Sequence, residues 1–137
     1  MNQILDRLWC GNFEDGEAVA QKRILSPVNF LLNLSQYTYN SPTFIMLHRP
    51  IEDEVFLSPE TWEALTHRLT GFIHTRRHHV LVHCRLGKSR APSLCAAYLV
   101  RCGWDPESAL QHVLARRPEA DPHPETWRSV IAWAKGH

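Results

Sequence analysis

The 137 residues are 44% hydrophobic and 21% charged, which suits one folded domain spanning 1–137 with a core of its own. Fifteen Lys and Arg against fourteen Asp and Glu leave a formal net charge of +1; this excludes a chain-wide field for gripping nucleic acid or an anionic membrane, so any anion site must be local. No run reaches the roughly eighteen uninterrupted apolar residues of a bilayer span, and Met1 to Asp6 does not read as a secretion signal, which predicts a cytoplasmic protein without a membrane span.

Ile4, Leu5, Leu8 and Trp9 form a first apolar stretch closed by Gly11, followed by Phe30-Leu31-Leu32-Asn33-Leu34 and then Phe44-Ile45-Met46-Leu47. Near-continuous apolar runs this short suit strands buried on both faces of a largely parallel sheet. Ser58 is a cap and Pro59 a first-turn residue for a helix whose buried stripe is Trp62, Leu65, Leu69, Phe72 and Ile73. Val80-Leu81-Val82 is the fourth strand, and Ala91 to Leu99 turns helical. Asp105-Pro106-Glu107 opens another helix with Ala109, Leu110, Val113 and Leu114 inward. Asp121-Pro122-His123-Pro124 reads as a stiff turn before a last helix carrying Trp127, Val130, Ile131 and Ala134. Strands alternating with helices predict an α/β fold: a central, mostly parallel sheet of four to five strands flanked by helices in a three-layer sandwich. Ligands then collect beyond the carboxyl ends of the strands.

Four cysteines, Cys10, Cys84, Cys95 and Cys102, are too few for a disulfide framework, and their separations of 74, 11 and 7 contain no zinc knuckle, so neither a metal nor a cofactor is expected. Cys84 stands at the exit of the fourth strand in His83-Cys84-Arg85-Leu86-Gly87-Lys88-Ser89-Arg90. Successive amides of such a loop, with the N-terminus of the following helix, can cradle a phosphoryl group, and Arg90 can fork onto two of its oxygens. The same field would lower the Cys84 pKa and make it a nucleophile. His83 is expected to hold the loop through backbone contacts. Gly87-Lys88-Ser89 is not the tail of a nucleotide-binding loop, because position 82 is valine where that motif needs glycine.

His83-Cys84-x5-Arg90 after a hydrophobic strand resembles the signature of the cysteine-based protein tyrosine phosphatases. The stretches Ile4 to Asn12, Phe30 to Ser35 and Arg117-Pro118 resemble the dual-specificity branch. The resemblance implies a phosphomonoester hydrolase working through a phosphocysteine on phosphorylated protein, with Cys84 as nucleophile and Arg85, Leu86, Gly87, Lys88, Ser89 and Arg90 holding the phosphate. It also implies an aspartate about thirty residues upstream as general acid. Asp53, 31 positions before Cys84, fits that place, with Glu52 and Glu54 as solvated neighbours. One departure is Ala91, where the family commonly has Ser or Thr to help release the cysteine; Ser89 or Ser93 would have to substitute.

Arg85 and Lys88 predict a basic rim, which keeps a phosphoinositide or inositol phosphate phosphatase open as an alternative substrate class. A phosphate-binding module without turnover is the alternative of another kind, kept open by Ala91. An arsenate reductase is disfavoured, because Cys84 is central in the chain and Cys95 lies three helical turns from the loop.

Overall fold

The computed structural model describes residues 1–136. The first apolar stretch is two strands, β1 (Asn2–Leu5) and β2 (Leu8–Gly11), paired antiparallel with Leu5 opposite Leu8 across the Asp6-Arg7 turn. Helix α1 (Phe13–Ala20) follows at once, an element that the apolar runs had not marked. Its start is a capping box: Asp15 N–H donates to Asn12 Oδ1 at 2.8 Å, and Asn12 N–H donates to Asp15 Oδ2 at 2.9 Å. The remaining strands are β3 (Phe30–Asn33), β4 (Ile45–His48) and β5 (Val80–His83). The remaining helices are α2 (Pro59–Thr70), continued by a π-helical turn over Gly71–Thr75, α3 (Arg90–Arg101), α4 (Pro106–Arg116) and α5 (Pro124–Ala134).

The sheet runs β1-β2-β5-β3-β4 and is parallel except for β1. The expectation of burial on both faces holds for β2, β3 and β5, which are buried throughout, and fails for β4, whose Ile45 is 59% exposed at the edge. Alternation along the inner strands builds two cores. Leu32, Val80, Val82 and Cys10 face the layer of α2 to α5, whereas Leu31, Leu81 and Trp9 face Val19 and Ala20 of α1. The sandwich is therefore uneven, with one helix on one side and four on the other. Helix α3 is its axis: every residue from Arg90 to Val100 is buried.

Ser58 and Asp105 cap α2 and α4 as expected, accepting from Thr61 and Ser108 N–H. The parallel register brings Gly11, His83, Asn33 and His48 to one sheet edge, so the loop after β5 emerges at the centre of that edge. Trp62 ties the α2 layer together: it is fully buried and its Nε1–H donates to Ser129 Oγ of α5 at 3.0 Å. Trp62→Ala should lower the free energy of unfolding by about 3–5 kcal/mol in a denaturant titration. A loss below about 1 kcal/mol would mean that α2 and α5 repack without the indole.

Candidate active site

The loop from Cys84 to Arg90 is held by its carbonyls, which are drawn outward. Arg85 C=O accepts from Phe13 N–H at 3.0 Å, and Lys88 C=O accepts from Asp121 N–H at 2.7 Å. Gly87 C=O accepts from Nε–H of the buried Arg117 at 2.7 Å, while Arg117 Nη1 donates to Asn2 Oδ1 at 2.7 Å. With these carbonyls turned away, the loop amides are free to converge on its inner side. Gly87 permits the turn: its φ is +69°, and a Cβ there would stand 2.7 Å from Gly11 O.

Ser89 precedes α3 without capping it, because its Oγ accepts from His123 N–H at 2.9 Å instead. The first amides of α3 thus keep their donors for an anion. Arg90, 4% exposed, points its Nη1 backward, donating to Gln36 Oε1 at 2.9 Å, Ile51 O at 3.2 Å and Leu34 O at 3.3 Å. Its Nε has the Asp53 carboxylate at 3.4 Å, within ion-pair range but off-line for a hydrogen bond, so this buried donor has no hydrogen-bond partner.

A cavity of about 240 Å³ opens over the loop, and its lining includes Cys84, Lys88, Ser89, Arg90, Asp53 and His123. The fold therefore brings Asp53, 31 positions upstream, to Cys84 and Arg90 of the loop. A larger cavity of about 730 Å³ lies between α2 and α5 and contains none of the loop residues. Two of the expected roles change. Arg85 leans over the Tyr37 ring, 5.7 Å from its centroid, and leaves the cavity lining. Ser93 is fully buried with its hydroxyl unpartnered, so of the two serines only Ser89 lines the cavity. Gln36, Arg117, Asp121 and His123 were not singled out from the sequence as site residues. The Asp121-Pro122-His123-Pro124 turn had marked two of their positions and the Arg117-Pro118 resemblance a third, none of them as part of the site.

The electrostatics oppose one expectation. Cys84 is 2% exposed, and burial pushes its thiol up, outweighing the downward pull of the Ala91 amide, Arg90 and the Gly87 amide. Cys10, on β2, adds to the rise; it shares a hydrogen bond with Cys95, and burial holds its own thiol well above the ordinary value. His83 is pushed down to about 4 by burial. It stays neutral near pH 7, with Nε2 against Tyr39 Oη at 2.7 Å and Nδ1 3.4 Å from Cys84 O. The structural role expected for His83 is thus the one its contacts support.

A model of the dual specificity phosphatase catalytic domain matches residues 8–136. The protein-tyrosine-phosphatase IBR5 of Arabidopsis thaliana is 43% identical over 58 residues, covering 42% of this chain and 23% of its own. The human protein phosphatase Slingshot homolog 3 is 29% identical over 135 residues, covering 94% of this chain and 20% of its own. The chain thus spans about a fifth of the length of these curated relatives. The crystal structure of human DUSP28 superposes with a TM-score of 0.83 at 22% identity, covering 99% of this chain and 96% of that one. No helix among the described residues is long and apolar enough to cross a membrane.

Two pH effects follow from the burial of these groups. Because burial holds the Cys84 thiol up, its alkylation by iodoacetamide should keep accelerating with pH beyond about 8.5, where an ordinary thiol is half ionised; saturation below pH 7 would mean that the loop amides win. The unfolded chain binds a proton at His83 below pH 6.5 and the folded chain does so only near 4. Stability from this group is therefore complete above 6.5, and roughly 2 kcal/mol of it is lost by pH 5. His83→Gln should flatten that stretch of the stability profile, and an unchanged slope would assign the acid sensitivity elsewhere.

Proposed function

The chain belongs to the dual specificity phosphatase catalytic-domain family, and from that premise we propose that residues 1–137 act as one cysteine-dependent phosphatase domain that hydrolyses phosphorylated protein through a phosphocysteine. The observation that carries this reading is the donor set of the loop. Ser89 and Arg90 at the uncapped α3 N-terminus line the same cavity as Cys84, and the Arg90 Nε has no hydrogen-bond partner. Such a set complements the equatorial oxygens of a transferring phosphoryl group better than it complements any neutral ligand.

The steps then follow from position. A phosphoryl group entering the loop replaces Asp53 as the partner of Arg90 Nε, which leaves the Asp53 carboxyl next to the leaving oxygen. Cys84 Sγ attacks phosphorus as a thiolate, whose charge the Ala91 and Gly87 amides and Arg90 stabilise. The P–O bond breaks and its oxygen takes the proton from Asp53. Water then attacks the thiophosphate, giving a proton to Asp53 and returning the Cys84 thiolate. Ala91, fully buried, brings no hydroxyl to this second step. Ser89 is the hydroxyl that lines the cavity, with its oxygen committed to His123 N–H.

Cys84→Ser should abolish multiple turnovers of para-nitrophenyl phosphate, and turnover by the wild-type protein should survive EDTA. Asp53→Asn should lower kcat on a phosphotyrosine peptide by about 10² to 10⁴ and matter less for an activated aryl phosphate. Retained activity in Cys84→Ser would remove the nucleophile. Equal losses on both substrates for Asp53→Asn would remove the general acid.

A further inference from the structure

The cavity over the loop has walls of opposite sign to its base. Asp53, Glu54 and Asp121 line it beside Lys88 and Arg90. Asp53 faces Arg90, but Glu54 and Asp121, both exposed, enter no ion pair among the described residues. The backbone at each fixes its place. Asp121 N–H donates to Lys88 O at 2.7 Å, so this wall is tied to the phosphate loop itself. Glu54 adopts a left-handed φ of +60° and its N–H donates to Asp53 Oδ1 at 3.0 Å. The cation that could have balanced them, Arg85, lies on Tyr37 outside the lining.

Acidic residues at a rim do not define a ligand by themselves. Here a second observation does: Arg90, 4% exposed, lines the same cavity, and its buried Nε has no hydrogen-bond partner, with only the Asp53 carboxylate at 3.4 Å to balance it. One anion is therefore wanted at the base, and negative charge is penalised around it. A polyanion such as an inositol polyphosphate would place its further phosphates against Glu54 and Asp121, and like charges across a cleft discriminate between ligands. A single phosphate flanked by cations meets both features.

We infer that this cleft selects phosphopeptides carrying Arg or Lys beside the phosphorylated residue, with Glu54 and Asp121 as the specificity-determining side chains. The inference rests on the phosphatase reading, whose substrate class it narrows. It also sets aside the basic-rim expectation, because only one of the two expected cations reaches the cavity.

The test uses three phosphotyrosine peptides that differ only in the flanking residues: arginine, glycine or glutamate. Values of kcat/KM are measured on the wild-type protein, and Kd is measured by fluorescence anisotropy on Cys84→Ser. The arginine peptide should exceed the glutamate peptide by about tenfold at low salt, as expected for two exposed charge contacts, and the ratio should shrink as salt screens them. In E54Q/D121N the ratio should fall towards one, and in E54K/D121K it should invert. A ratio is insensitive to a partial loss of folded protein, which a merely structural role would cause. Hydrolysis of all three peptides at equal kcat/KM overturns the inference and leaves the phosphatase reading standing. No hydrolysis of any peptide or of para-nitrophenyl phosphate overturns that reading, and the Kd ratio on Cys84→Ser then decides the inference by itself.

Discussion

The outward pull on the carbonyls of Arg85, Gly87 and Lys88 is the constraint on which the rest of the site depends. A short loop can present its amides to an anion only if its carbonyls find partners elsewhere. Three separate elements supply them: the start of α1 through Phe13, the segment after α4 through Arg117, and the turn before α5 through Asp121. Gly87 is pressed against Gly11 for the same reason. The C-terminal segment is therefore part of the anion site without touching the anion. Helix α3, buried from Arg90 to Val100, gives that arrangement a rigid base, and the central strand β5 delivers Cys84 to it.

Burial, which assembles the loop, also works against its chemistry. Cys84 and His83 lie in the same water-excluded interior, and each is displaced towards its neutral form, the thiol upward and the imidazole downward. For His83 this is useful. A neutral ring can face both Tyr39 Oη and the Cys84 carbonyl, and it adds no charge behind the loop. For Cys84 the consequence is a thiol whose ionised form is opposed by desolvation and favoured by Arg90 and two amides. An anion site built this way depends on donors fixed in advance by burial.

What the sequence disclosed was local, and what it hid was assembled across the chain. Ser58 and Asp105 act within three residues of themselves, so their caps could be read directly. The cysteine, the arginine six places on and the strand before them form one contiguous signal, as does the helix that follows. The capping box of Asn12 and Asp15 was equally local and was overlooked because the strand pattern ran up to it. Gln36, Arg117 and Asp121 earn their places through partners 54, 30 and 33 positions away respectively, and nothing near them in the chain announces it. The misjudged rim belongs to the same class. Arg85 has the right spacing for the cavity, yet an aromatic ring delivered by another segment gives its guanidinium a better seat.

The tie between Lys88 O and Asp121 N–H has one further implication. It makes the loop that would attract a phosphate, on the proposed reading, also the anchor of a carboxylate that would oppose further negative charge. The two effects use different atoms. On the proposed reading, affinity for the phosphate would reside in backbone amides and the buried Arg90, whereas discrimination would reside in the exposed side chains of Glu54 and Asp121, whose replacement leaves the backbone ties in place. Substrate preference would then change by surface substitutions while the backbone of the loop stays intact, a separation that a loop held by its own side chains would not allow.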